Sequence, residues 1–242
     1  MIRYVLIAVA AALMAGCNSG PSPQTAENTV GGANVVANTQ APMAKQTTSL
    51  SLDWGPKGQA GQVAIADVIS YGGPKVTITA PAGWQLIRDD STPTTRQSLY
   101  WHAIQANEAS AAAWTFSEPV DAQGVVLLLD SVAANAPVDM TTSNTGTGGT
   151  LTAKSVVTTA DGDLILSFFA TDFRGPGLGP TMPTDVKTVL NQQATSHEYW
   201  IMANYQSQNG NTEDAESNTG QIFNWVAAQV AIKRGAANPS GT

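Results

Sequence analysis

Gly61-Gln-Val-Ala-Ile-Ala66 and, at an offset of 101, Gly162-Asp-Leu-Ile-Leu-Ser167 are the two stretches whose reading decides the fold. Each opens on a glycine and continues in aliphatic and β-branched residues, to Ser70 in one case and Thr171 in the other, where the apolar run ends. Short runs rich in Val, Ile, Leu and Thr, bounded by turn residues, are strand signals rather than helix signals.

Working outward, the same pattern recurs around both runs. Strands are expected near Ser49–Trp54, Gln62–Ser70, Lys75–Thr79, Trp84–Arg88, Arg96–Gln105, Ala112–Ser117 and Val125–Val132. They follow again near Thr150–Thr158, Leu164–Thr171, Val186–Gln192, Glu198–Gln206 and Phe223–Lys233. In the last run, Trp225, Ala227, Gln229 and Ala231 alternate with Val226, Ala228, Val230 and Ile232, which suits a half-buried strand better than a helix. Charged residues are only 12% of the chain, too few for solvent-facing helices built on Glu and Lys pairs. The class is therefore all-β. Sets of strands with one apolar face each are expected to pack as an antiparallel, jelly-roll-like β-sandwich about 10 Å thick.

Two further echoes keep the order of the first. Leu99-Tyr100-Trp101 answers Glu198-Tyr199-Trp200 at an offset of 99, and Gly124-Val-Val-Leu127 answers Trp225-Val-Ala-Ala228 at about 101. Together they predict two quasi-repeated halves. Pro81 and Gly83 fit positions two and four of a type I turn, and Asp161-Gly162 between two β runs is a tight hairpin signal. Three stretches read as long polar connections where binding could occur: Asn135–Gly149, Asp172–Pro183 and Ser207–Gly220. Asn18–Gln46 carries prolines, glycines and only two charges, Glu27 and Lys45, and reads as a flexible linker. The β-domain is accordingly placed at residues 47–234, with a disordered tail at 235–242.

The run from Gly61, Thr79-Ala-Pro-Ala-Gly-Trp-Gln-Leu-Ile-Arg88, Ser98-Leu-Tyr-Trp101 and Trp114-Thr-Phe-Ser117 come in a recognisable order. It continues through Ala136-Pro-Val-Asp139 and Thr158-Thr-Ala-Asp-Gly-Asp-Leu164 to Asn224-Trp-Val-Ala-Ala-Gln-Val-Ala-Ile232. In this order the chain resembles an uncharacterised β-sandwich module of bacterial secreted and phage structural proteins. The resemblance implies a jelly-roll-like, non-enzymatic surface or accessory role and carries no functional residues with it.

The N-terminus has a different pattern. A basic start ending at Arg3, an apolar run from Tyr4 to Met14 and the small pair Ala15-Gly16 form an export signal, expected to be cleaved after residue 16. An apolar run of this length falls short of the roughly 20 residues a membrane-spanning helix needs. Leu13-Met-Ala-Gly-Cys17 resembles the lipobox of bacterial lipoproteins, with Met14 where that family prefers leucine. The resemblance implies diacylation of Cys17 and membrane attachment through its acyl chains, more than the two signals stable anchoring requires when the new amino group is also acylated. Asn18 and Ser19 lack the aspartate that retains such proteins at an inner membrane, so the outer membrane is expected if the cell has one.

Eighteen acidic side chains against eleven basic ones give a formal charge of −7, and the basic residues are scattered, which argues against a nucleic-acid partner. With one cysteine no intrachain disulfide is possible, so stability must come from the core. His102 and His197 are not in ligand-spaced groups, no Gly-x-Ser-x-Gly elbow occurs, and no metal or cofactor is implied. The acidic groups Asp89-Asp90, Asp161-Gly-Asp163 and Glu213-Asp-Ala-Glu216 read as solvated turn carboxylates. Aromatic side chains are the remaining lead. In Tyr100-Trp101 and Tyr199-Trp200, neighbouring residues of a strand face opposite ways, so one of each pair is expected to leave the core. With Tyr205 they form the candidate ligand-binding set. The expected role is a lipid-anchored, non-catalytic envelope protein serving adhesion, structure or accessory binding, with a glycan or a surface protein as partner. A carbohydrate-binding module is the alternative and a glycan-active hydrolase the third reading.

Overall fold

The computed structural model describes residues 33–55, 58–172, 187–193, 198–206 and 208–235. The leader with Cys17, the tail from 236, His197 and most of the Asp172–Pro183 connection lie outside the described residues. In chain order the strands are β1 (Asn34–Asp53), β2 (Val63–Ser70), β3 (Ile78–Thr79), β4 (Gln85–Ser91), β5 (Arg96–Ala103), β6 (Ala111–Asp130) and β7 (Val138–Ala153). They continue as β8 (Val157–Thr158), β9 (Asp163–Thr171), β10 (Lys187–Gln193), β11 (Glu198–Gln206), β12 (Gly210–Asn211) and β13 (Ala215–Ile232). The one helical element among the described residues is a 3-10 turn at Gly73–Lys75. The protein is an antiparallel β-sandwich, as its sequence predicts.

The two glycine-led runs are its central strands, β2 and β9. Gly61 and Gly162 both adopt positive φ, 93° and 81°, a conformation glycine takes without a Cβ penalty. Around β2 the first sheet has the order β1-β6-β2-β5-β4, and around β9 the second has β10-β11-β9-β13-β7. Read from its other edge, the second order is β7-β13-β9-β11-β10, so each of the five strands in one order has a counterpart at the same place in the other, while β3 and the β8–β12 pair have none. The expected repeat is therefore real and each sheet is one half of the chain. β4 lies against β7, and β1 against β10, so corresponding edges exchange across an approximate twofold axis.

Register corrects two of the three echoes. Asp67 pairs with Leu99 on β5, and its counterpart Phe168 pairs with Ile201 on β11. Leu99 thus matches Ile201, and Trp101 matches Ala203, so the two Tyr-Trp pairs are not equivalent. Val68 pairs with Gly124 and Phe169 with Ala227, which moves that echo two residues along as well. The first echo moves by three residues, an odd number, so Tyr100 and Tyr199 face opposite ways, while the second moves by two and keeps its face.

Four strands are longer than their neighbours, and this creates more core than one sandwich interior. β1 and β6 have 20 residues each against eight in β2. At about 3.3 Å per residue they extend far past the central strands. Their pairing breaks register between Ala41 and Ser49, and the far arms, Ser49–Asp53 with Ala111–Thr115, fold over the outer side of the first sheet. Leu50, Leu52, Trp54, Trp114 and Phe116 of those arms bury Ala64, Ala66, Val68, Tyr100 and Leu128 of the sheet beneath. In the second half, Leu151 and Ala153 of β7 cover Phe169, Trp200, Met202 and Trp225. Between the sheets lies the largest core, with Val63, Ile65, Leu99, Val125 and Leu127 meeting Leu166, Phe168, Ile201, Val230 and Ile232.

Several local expectations change accordingly. β1 begins at Asn34, so residues 34–46 are strand rather than linker. Their small side chains gave little apolar signal because one edge of the strand is open and the other pairs with β6. Ala112–Ser117 and Val125–Asp130 are parts of one strand, β6, and Val132 lies past its end in an isolated bridge to Arg234. Asn135–Gly149 is mostly β7, and the stretch from Ala215 to Gly220 belongs to β13. The turn before β4 closes from the Trp84 N–H to the Pro81 carbonyl at 3.3 Å with Gly83 at φ 86°, which is type II geometry one position along from the type I reading. Asp161-Gly162 does turn the chain, but β8 before it pairs with β12 instead of β9.

Candidate functional site

The aromatic residues singled out in the sequence separate sharply. Tyr100 is buried in the outer core of the first half, and Trp101 is half-buried against the core between the sheets. Tyr199 enters that central core, with its hydroxyl donating to the Gly124 carbonyl at 3.3 Å. Trp200 is fully buried in the outer core of the second half, stacked on Phe169 at 5.4 Å and 10°. The inference from alternation was right about opposite faces and wrong about exposure, because the folded-over arms make a core of both faces. Tyr205 alone of the five is exposed, at 43%, beside Gly162 and Arg234.

A polar–aromatic cluster stands at one end of the first half. Trp84 stacks on the His102 ring at 5.3 Å and 26°, meets Trp114 edge-on at 4.8 Å and lies 5.8 Å from Trp54. His102 is in β5, where the sequence placed it, and its Nδ1 faces the Gly83 carbonyl oxygen at 3.0 Å while its Nε2 faces the Glu108 carboxylate at 2.9 Å. Both ring nitrogens lie against oxygen atoms of neighbouring turns. Gly83 permits the approach: a Cβ there would lie 3.2 Å from the imidazole. The result ties the turn before β4 to the turn after β5. Both ring nitrogens are thereby engaged within the fold.

The acidic groups are less solvated than their turn setting suggested. Asp89 and Asp90 are in β4. Arg96 binds Asp89 through two nitrogens, and Arg88 binds Asp90 likewise. Arg88 also donates to Thr141 and Ser143 donates to Asp90, so this lattice joins β4 to β7 of the other half. Beside the β4–β5 turn, Thr94 and Asn224 both donate to Asp172, again linking the halves. Asp161 is exposed as expected, whereas Asp163 is buried. Burial, then the neighbouring Asp139, pushes the Asp163 carboxyl up to about 6. Asp139 is drawn below the ordinary range, although desolvation opposes this, by hydrogen bonds from the Thr159 hydroxyl and N–H.

Asp67 was not singled out by sequence. It is the one acid within the apolar run of β2, on the face turned to the other half, and it is fully buried. Its Oδ2 accepts from Gln97 Nε2 at 2.9 Å, and desolvation pushes its carboxyl up to about 8 against that bond. An acid at an inward position of such a run was the available signal.

A cleft of about 220 Å³ lies at the bend of the β1–β6 ribbon, lined by Gln46, Tyr71, Val76, Glu118 and Asp121. It is smaller than the roughly 300 Å³ at which small-molecule pockets begin. Among the described residues no group of three or more His, Cys, Asp or Glu could hold a metal.

These features define a double-layered β-sandwich protein in which two similar half-bodies are joined through a common core and through two side-chain lattices. Comparison of the chain with protein-family models, with curated proteins and with solved structures finds no match to any of them.

Proposed function

We propose that this chain is an exported, lipid-anchored envelope protein with a non-catalytic adhesion, structural or accessory binding role. Its membrane partner is the lipid layer entered by acyl chains on Cys17. The observation that carries the non-catalytic part is the direction of its chemistry. Arg88 through Thr141, the Arg96–Asp89 and His102–Glu108 pairs and the Thr94–Asp172 contact each hold one segment of the sandwich to another. The lipobox-like Leu13–Cys17 stretch supports the anchor.

Cys17→Ser with metabolic fatty-acid labelling tests the anchor: the wild-type chain takes label and sediments with membranes, and the variant does neither. Equal labelling of both overturns it. The glycan reading now rests on Tyr205, the one candidate aromatic available at the surface among the described residues.

A further inference from the structure

Asp67 sits mid-strand in β2 and its carboxyl has no access to solvent. One oxygen is used: Oδ2 accepts from Gln97 Nε2. The other, Oδ1, is buried without a partner, and so is Oε1 of the same glutamine. An ionised carboxylate would leave two lone acceptors side by side in the core, with nothing to donate to either. A single proton on Oδ1 supplies the missing donor. Oδ1–H then points to Gln97 Oε1 while Gln97 Nε2–H points to Oδ2, and the acid and amide close a cyclic pair with no orphan atom.

The surroundings offer the ionised form no help. The titratable groups that face it are Tyr199, from β11 of the second half, and Tyr71, just past β2; Asp172 at the end of β9 acts on Tyr71 in turn. Tyr199 gives its hydroxyl proton to the Gly124 carbonyl, and Gln123 donates to the Tyr71 oxygen. No cation acts on the Asp67 carboxyl among the described residues. Nor does the fold demand a polar pair here: at the matching positions of the second half stand Phe168 and Tyr199, in the same register.

We propose that Asp67 and Gln97 form a protonation lock in the joint between the two halves, so that the packing of the sandwich holds best while Asp67 carries its proton and weakens as alkali removes it. The raised carboxyl agrees with this and gives the window. The folded-state value, about 8, lies above the unfolded 3.8. The lock is therefore fully effective below about pH 4, loses about tenfold in the folding equilibrium per pH unit above that, and levels off near pH 8. This is opposite in sign to an ordinary ion-paired aspartate.

The test compares the folding equilibrium of the full chain and of Asp67→Asn, by denaturant titration at pH 5 and pH 8. Asparagine keeps the shape and both hydrogen bonds of the pair without a titrating proton. Wild type should lose on the order of a thousandfold more than the variant between the two pH values. Other carboxyls are common to both proteins and cancel in the comparison. Equal losses overturn the proposal. If Asp67→Asn does not fold, the carboxyl carbon resonance of Asp67 in the wild-type chain decides: titration near pH 8 supports the lock, and titration near pH 4 overturns it.

Discussion

Trp200 and Tyr205 entered as members of one candidate binding set, and the fold gives them opposite consequences when truncated. Trp200→Ala removes a ring that is fully buried, stacked on Phe169 and roofed by Leu151 and Ala153. Large-to-small changes at buried tryptophan cost about 3–5 kcal/mol, of which the stacked pair accounts for about 0.5–1.5 kcal/mol. Trp200 Nε1 is buried without a partner, so no hydrogen bond is lost to add to that figure. Tyr205→Ala exposes little that was hidden and should change stability by no more than about 0.5 kcal/mol, as at other surface sites. For a chain of this size 1 kcal/mol moves Tm by about 2–4 °C, so Trp200→Ala should melt about 6–20 °C lower and Tyr205→Ala within about 2 °C of wild type. Denaturant titration followed by circular dichroism, with the slope checked for constancy, gives the free energies directly. A Trp200→Ala protein within about 1 kcal/mol of wild type would refute the claim that the outer face of each half is a core. It would return Trp200 to the surface as a candidate for stacking on a ligand.

Gly124 tests the bend of the long ribbon. A Cβ there would lie 2.7 Å from the Asp67 carbonyl oxygen and 3.2 Å from Leu52, so Gly124→Ala must displace backbone and should cost about 1–3 kcal/mol in thermal or chemical unfolding; a neutral result would mean that β6 does not approach β2 as closely as described. Asp163→Asn tests the second raised carboxyl. Because its folded value of about 6 exceeds 3.8, its contribution is present below about pH 4 and is lost as pH rises to about 6. The Tm of wild type minus that of the variant should fall across this window and stay flat above it, and a difference that climbs with pH would contradict the assignment.

How much of this was legible in sequence depends on whether the governing interaction was local. The central strands were legible because their apolar runs are short, continuous and opened by glycines whose positive φ the turn requires. β11 was read to the residue, Glu198–Gln206, because its ends coincide with polar segments. The far arms were not legible. Thr141-Thr-Ser-Asn-Thr-Gly-Thr-Gly-Gly149 looks like a loop by composition, yet it is a strand because β13 supplies its hydrogen-bonding edge over Val226–Phe223 and beyond. β-propensity follows from such neighbours more than from the residue itself. The same arms explain the failure of the aromatic site. Strand alternation says which way Tyr100 and Trp200 point, but what covers that side is set by segments tens of residues away. Asp67 failed for a related reason, since only pairing to Gln97 across β5 reveals what its carboxyl meets.

The repeat and the lock together bear on why the halves differ. With matching strand orders and exchanged edges, each sheet presents to the other much the same surface that it receives, which is the geometry of a self-complementary pair. A body made of two first halves would then place a second Asp67 and a second Gln97 in the common core, where Phe168 and Tyr199 now stand. Two buried acids would each need a proton, because burial disfavours the ionised form of both. The existing second half supplies an aromatic ring and a tyrosine whose hydroxyl reaches the Gly124 carbonyl of its mate. A copy of the first half would thus need a second buried proton at this joint, where Phe168 and Tyr199 need none.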